Sequence, residues 1–229
     1  MSSIAIITAR GGSKRIPQKN IKEFCGKPII AYSIEAALNS CIFDEVMVST
    51  DSAEIAEVAK EYGAQIPFMR SDDNSNDYAT TADVIEEVLR AYQDKGKVFD
   101  TFACIYPTAP FITAEKIREA FQNMIKSEAD ATLSVVKFSY PPQRAFVIKE
   151  GFIKFQYPEH EKSRSQDLEP IYHDCGQFYI CDTKKFFSSK TLIQAKTVPY
   201  MIPEEEVQDI DTPSDWKIAE AKYEALNRG

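Results

Sequence analysis

Residues 4–20 read Ile4-Ala5-Ile6-Ile7-Thr8-Ala9-Arg10-Gly11-Gly12-Ser13-Lys14-Arg15-Ile16-Pro17-Gln18-Lys19-Asn20. A short β-branched apolar run reads as a buried strand, and this one empties into a glycine pair followed by clustered cations. Glycine lets a backbone approach a ligand closely and turn several N–H groups toward one point. Arg10, Lys14, Arg15 and Lys19 surround that point with positive charge. This is the chemistry of a polyphosphate cradle. It is not a Walker loop, because no Gly-Lys-Ser/Thr opens a helix. Nor is it a dinucleotide fingerprint, because Pro17 interrupts the run before a helix can start.

The charge distribution agrees with a cradle. Residues 1–30 carry six Lys/Arg against one acid, Glu23, whereas the whole 229-residue chain has a formal net charge of −8. An acidic protein that gathers its cations beside the first strand focuses its field on a small anionic ligand. No second basic face is visible, so neither nucleic acid nor a membrane is expected as a partner. Composition is that of a soluble globular protein, with 44% hydrophobic and 27% charged residues. The length suits one α/β domain with an elaboration. No apolar stretch approaches the roughly 18 residues of a membrane span, and the N-terminus has strand character instead of a signal-peptide layout. Cys25, Cys41, Cys104, Cys175 and Cys181 form an odd set without CxxC spacing, read as reduced thiols of a cytoplasmic protein.

Outward from the first strand, helix and strand patterns alternate. Apolar periodicity predicts helices over 28–40, 52–62, 80–94, 113–127 and 212–226, and strands over 45–50, 65–69, 101–106, 131–137 and 176–181. Ser52 and Thr113 are placed to cap their helices. The rhythm predicts an α/β fold with a mostly parallel sheet and helices on both faces. Ligands bind such sheets at the carboxyl ends of the strands, where Arg10, Asp51, Pro107 and Thr108 fall. Residues 138–172 break the pattern with Pro141, Pro142, Pro158, Pro170 and both histidines. This excursion is expected to hold irregular chain and short antiparallel strands, serving as a lid or an oligomer arm.

A second motif is Asp209-Ile210-Asp211-Thr212-Pro213-Ser214-Asp215. In extended chain, alternation aims both Asp209 and Asp211 to one side and Ile210 to the other. Two carboxylates on one face raise each other's pKa unless a cation sits between them. Magnesium takes one or two protein carboxylates and completes its shell with water and phosphate oxygens. Thr212 to Asp215 have the residues of a helix cap, but capping has no use for Asp209.

Together these motifs resemble the acylneuraminate cytidylyltransferase family, which activates nine-carbon acidic sugars. The resemblance rests on residues 9–17, Lys19-Asn20, Val48-Ser49-Thr50-Asp51, Tyr106-Pro107-Thr108-Ala109-Pro110 and Asp209-Ile210-Asp211-Thr212, in the family's order over nearly the whole length. It implies a nucleotide-diphospho-sugar transferase-like nucleotide-binding sheet, with residues 1–229 as one domain and 138–172 as an inserted arm. It also implies transfer of CMP from CTP to the anomeric hydroxyl of a nonulosonic acid, with Mg2+ as cofactor. A homodimer is expected, in which the arm closes the sugar site. By the same resemblance Arg10, Lys19, Asp209 and Asp211 are catalytic, the two aspartates as metal ligands. The nucleotide falls to Ala9, Arg10, Gly11, Gly12, Ser13, Lys14, Lys19, Asn20, Arg70, Asp77 and Thr80. The sugar falls to Tyr106, Gln143, Arg144, Arg164, Gln166, His173 and Gln177.

The departures are informative. Sialic acid members have Gln where Tyr106 stands, and Arg-Pro-Asn-Gly where His173-Asp174-Cys175-Gly176 stands. These changes argue against N-acetylneuraminate. The aromatic set Tyr106, Phe178 and Tyr179 suits pseudaminic acid, which has a terminal methyl and fewer hydroxyls. Legionaminic and N-acetylneuraminic acids are the rivals within this class. A nucleotide-sugar-dependent glycosyltransferase is a rival of another class, although its Asp-x-Asp motif normally lies mid-chain.

Overall fold

The computed structural model describes residues 1–228. Its strands are β1 (Ser3–Thr8), β2 (Glu23–Phe24), β3 (Lys27–Pro28), β4 (Glu45–Ser49), β5 (Thr101–Ile105), β6 (Ala131–Lys137), β7 (Phe146–Lys149), β8 (Phe152–Phe155), β9 (Tyr172–Asp182) and β10 (Thr197–Met201). Its helices are α1 (Ile29–Ser40), α2 (Ala53–Glu61), α3 (Thr81–Asp94), α4 (Ala114–Lys126), α5 (Thr183–Ser189) and α6 (Pro213–Asn227). The main sheet has the order β10-β6-β9-β5-β1-β4. β1 pairs in parallel with β4 and β5, and β10 with β6, while β9 runs antiparallel between β5 and β6.

β1 is apolar along its length because both of its faces are covered. Ala5 and Ile7 pack with α1, α2 and α4 in one cluster, and Ile4 and Ile6 pack with α3 and Phe186 of α5 in the other. From β1 the chain moves to β4 on one side, and from β5 it moves to β6 on the other. The order therefore reverses between β1 and β5, and the carboxyl ends of these two strands open a crevice.

Six elements differ from the sequence reading. Residues 65–69 do not form a strand. Gln65 alone makes a bridge to Met47, because Pro67 has no N–H with which to continue a ladder. The strand predicted at 176–181 begins at Tyr172, in a stretch whose exposed residues carry no apolar alternation. The two-residue strands β2 and β3, together with α5 and β10, are additional. Pro199 sits within β10, which is tolerated because β10 is an edge strand.

A third cluster joins Ile16, Phe24 and Ile29 to Ile210 and Trp216. The Trp216 ring meets Phe24 edge-on at 5.5 Å, and Lys22 Nζ lies 4.4 Å above it. α6 starts with the expected capping box between Thr212 and Asp215, with Pro213 in its first turn. The arm contains a hairpin of β7 and β8, paired with each other and not with the main sheet. Glu150 and Gly151 turn it with positive φ values of 55° and 81°, as a two-residue hairpin loop requires. Its faces leave Ile148 75%, Phe152 70% and Ile153 68% exposed. Among the described residues no helix is long and apolar enough to cross a membrane. All five cysteines are free.

Because Trp216 is the largest side chain holding α6 to the loop at Phe24, Trp216→Ala should cost about 3–5 kcal/mol in equilibrium urea unfolding. A loss below about 1 kcal/mol would show that α6 is held elsewhere.

Candidate active site

The loop after β1 is fixed by its backbone. Ala9 N–H donates to the Ser49 carbonyl at 2.9 Å, extending the β1–β4 pairing by one residue. Gly11 N–H donates to Asp51 Oδ1 at 2.8 Å. A Cβ on Gly11 would lie 3.0 Å from Ser52 Cβ, whereas one on Gly12 would meet nothing. Neither glycine takes a positive φ, so Gly11 is needed for close packing and not for an unusual backbone angle. Asn20 is buried, and its amide donates to the Arg10 carbonyl at 2.9 Å. Lys19 Nζ reaches across the fold to the Ile210 carbonyl at 2.6 Å.

The loop cations are already paired. Arg10 Nη1 lies 2.8 Å and Lys14 Nζ 2.7 Å from the two oxygens of Asp77. Hydrogen bonds from Lys14 and then Arg10 hold the Asp77 carboxyl below its usual range. Arg15 and Lys19 lie 3.0 and 3.6 Å from Asp211 Oδ1. Such exposed pairs contribute little net stability.

Three cavities run in series across the crevice. The first, of 240 Å³, is lined by Arg70, Asn74, Asn76, Asp77, Thr80 and Thr81. The second, of 390 Å³, is lined by Ser13, Lys14, Arg15, Lys19, Asn20, Pro107 and Asp211. The third, of 520 Å³, is lined by His173, Asp174, Cys175, Gly176, Tyr179 and Asp209. Thr8 and Arg10 border the first two, Lys19 and Thr108 border the last two, and Tyr106 borders all three. Its hydroxyl lies 3.3 Å from Thr81 Oγ1, and its ring meets Tyr179 edge-on at 6.1 Å. A separate hollow of 410 Å³ between α1, α4 and α6 lies away from these residues, and its charges are paired as Lys27–Glu35 and Lys116–Glu206.

Most of the residues expected to serve the nucleotide gather at the first two cavities; Ala9, Gly11 and Gly12 support the loop without lining them. Arg70 is buried, with Nε donating to Ser49 Oγ at 3.0 Å and Nη2 to the Ser49 carbonyl at 2.5 Å. Burial lowers its pKa, partly offset by Asp51. Thr80 caps α3 through a capping box with Asp83. Of the residues expected to serve the sugar, Tyr106 and His173 reach the third cavity. Gln143 and Arg144 are turned to carbonyls of the arm, Glu169 and Ser163. Arg164 lies 3.8 Å from Asp167 on the exposed arm, and Gln166 borders a hollow within it. Gln177 is buried, and its amide donates to the Glu206 carbonyl at 2.7 Å. The backbone carbonyl of Gln177 accepts from Tyr106 N–H at 2.9 Å. Phe178 belongs to the core on the other face of the sheet. Thr8, Asn74, Asn76 and Thr81 line the cavities without having been expected as site residues, and Asp174 belongs to the His173-Asp174-Cys175-Gly176 stretch that departs from the sialic acid members. Thr8 and Thr81 lie at the end of a strand and the start of a helix, which was the available signal.

Asp209 and Asp211 flank the buried Ile210, one bordering the third cavity and the other the second. Both are hard oxygen donors of the kind magnesium takes, but they border adjacent cavities that meet at Lys19, and Asp211 is already paired with Arg15 and Lys19.

A cytidylyltransferase family profile matches residues 4–179. The chain belongs to the cytidylyltransferase family. This cytidylyltransferase is 42% identical to pseudaminic acid cytidylyltransferase of Campylobacter jejuni serotype O:2, over 97% of each chain. It is 37% identical to CMP-N,N'-diacetyllegionaminic acid synthase of Legionella pneumophila, over 99% of this chain and 100% of that one. Its fold is similar to that of CMP:2-keto-3-deoxy-manno-octonic acid synthetase complexed with CTP. That match has a TM-score of 0.71 and 18% identity, over 99% of this chain and all of the other.

Gly11→Ala should cost this cytidylyltransferase about tenfold more activity than Gly12→Ala, since only the former displaces the loop against α2. Steady-state CTP kinetics on both variants check this, and equal losses would refute the packing role of Gly11.

Proposed function

We propose that this chain transfers CMP from CTP to the anomeric hydroxyl of pseudaminic acid and releases pyrophosphate. The observation that carries this reading is the serial order of the cavities. Polar nucleoside-sized space, a cationic trough and a larger aromatic space follow one another, with Tyr106 along all three and Lys19 where the last two meet. The high identity to the Campylobacter relative supports the choice of sugar. The Legionella relative keeps a legionaminic acid as the second reading.

In this reading Arg70, Asp77 and Thr80 surround cytosine and ribose. The triphosphate takes over Arg10 and Lys14 from Asp77, and Arg15 and Lys19 from Asp211. The sugar oxygen attacks the α-phosphorus in line, forming one P–O bond as the bond to pyrophosphate breaks. Such a reaction is mostly positioning and charge stabilisation. Arg10 and Lys19 meet the charge that develops on the α-phosphate and the leaving group. Asp209 and Asp211 would hold Mg2+, whose bound charge neutralises phosphate and lowers the pKa of the attacking hydroxyl.

The arm is proposed as a dimerisation element within one 1–229 domain, closing the partner's sugar site. A lone two-stranded hairpin is marginal in water, and exposed apolar clusters mark contact surfaces. The chain is proposed to act in the cytoplasm, in keeping with its free thiols.

The test is pyrophosphate release from CTP with pseudaminic, legionaminic and N-acetylneuraminic acids. The highest kcat/KM is expected for pseudaminic acid. A higher value for legionaminic acid would replace the sugar, and no release with any sugar acid would refute the reaction. Lys19→Ala, Arg10→Ala and Asp209→Asn should each lower turnover about a hundred- to a thousandfold with little change in thermal stability. A variant that retains full turnover removes its residue from the mechanism. Light scattering should give a dimer for the unaltered chain and a monomer for Ile148→Asp combined with Ile153→Asp. A monomer at working concentration in the unaltered chain would defeat the arm's role.

A further inference from the structure

The pairing of β9 with β6 is interrupted in the wall of the third cavity. Leu133 faces Tyr179 and Val135 faces Asp174, so two steps along β6 are matched by five along β9. The surplus is a bulge within residues 175–178, which begins directly after the paired Asp174. Gly176 takes a φ of +65°, and Ser134 Oγ bonds both the N–H and the carbonyl of Phe178 in place of a ladder partner. Bulges beside active sites commonly re-aim a side chain. Here the bulged residues form part of the third cavity's lining.

Asp174 is the unexplained carboxylate of that lining. Asp209 belongs to the pair read as metal ligands, and Lys19 stands on the side shared with the second cavity. Asp174 borders the third cavity alone. Its partners are the Gly176 N–H, 2.8 Å from Oδ1, and the Tyr179 hydroxyl, which donates to Oδ2. Neither is a cation. An ionised carboxylate offers about four acceptor positions, so it retains capacity for further donors. Burial, and then the bond to Asp174, push the Tyr179 phenol well above its ordinary range, which keeps Tyr179 the donor.

A carboxylate without a cationic partner in a cavity proposed for an acid repels the substrate's carboxylate and accepts only hydrogen-bond donors. We propose that Asp174 is a specificity-determining residue that accepts an N–H or O–H from the part of the sugar remote from its carboxylate. The sugar acid is then held by two poles, its carboxylate toward Lys19 and its donor toward Asp174. A sugar carrying a second anion at that position is rejected. This inference rests on the cytidylyltransferase reaction proposed above and adds the polarity of its acceptor site.

Asp174→Asn keeps the side-chain shape and an oxygen for Gly176 N–H while removing the charge. The KM for the sugar acid should rise about ten- to a hundredfold, as expected for a hydrogen bond to a charged group, while the KM for CTP holds. Tyr179→Phe removes the phenol but leaves the carboxylate, and should raise the sugar KM less. An unchanged sugar KM in Asp174→Asn overturns the proposal. So does an equal effect of Tyr179→Phe, which would mean that Asp174 only braces Tyr179. If circular dichroism shows that Asp174→Asn does not fold, Asp174→Ser, which keeps an oxygen for Gly176, carries the same outcomes. Failure of the unaltered enzyme to release pyrophosphate with any sugar acid refutes the reaction itself. An active parent with an unshifted variant refutes only the role of Asp174.

Discussion

The site depends on the buried packing of Ile210 with Trp216, Phe24 and Ile16, which lets Lys19 Nζ donate to the Ile210 carbonyl from 191 positions away. It brings the loop after β1 to the strap that carries Asp209 and Asp211. Exposed ion pairs between Arg15, Lys19 and Asp211 contribute too little to set such a position. The apolar cluster contributes several kcal/mol and does set it. The strap is held from other sides as well, by Lys222 on the Val207 carbonyl at 2.7 Å and by Gln177 on the Glu206 carbonyl at 2.7 Å. Aromatic packing remote from the chemistry therefore fixes where the charges stand.

The parts of this arrangement that were legible in the sequence are those whose chemistry is local. The run from Ile4 to Asn20 contains a strand, a loop and its cations within one stretch, and Asp209 and Asp211 declare themselves by their spacing. What was not legible depends on distant partners. Asp77 neutralises Arg10 and Lys14 across more than 60 positions, which no local pattern encodes. Gln177 looks like a polar contact residue in sequence and is a buried brace in the fold. The bulge next to Asp174 exists only because β9 must fit β6, so its register could not be read from β9 alone. Pro67 and Pro199 mark the two places where apolar content misled or concealed. One proline ended a strand that was expected, and the other sits in an edge strand that was not.

The free protein also shows how a strongly cationic loop is tolerated without its ligand. Asp77 and Asp211 hold the loop cations in place, and in the proposed reaction phosphate takes over these same partners. A site preorganised in this way spends little on reorganisation when the charge arrives. Since the holding carboxylates are exposed, they are also easily displaced.

The position of β9 bears on how the chain is made. β9 ends at Asp182, yet it lies at the middle of the sheet, with β5 on one side and β6 on the other. Until a ribosome has released that strand, β5 presents an unpaired edge, and β6, whose other neighbour β10 follows β9 in the chain, has no partner in the sheet. Domains of this size are most exposed to misassociation in such intervals. The arm lengthens the interval, because residues 138–171 must be synthesised between β6 and its neighbour. Its thermodynamic burden is small, since the cost of closing a loop grows only with the logarithm of its length. The arm's cost therefore falls on the timing of synthesis, and chaperone demand should be greatest while the nascent chain still ends within it.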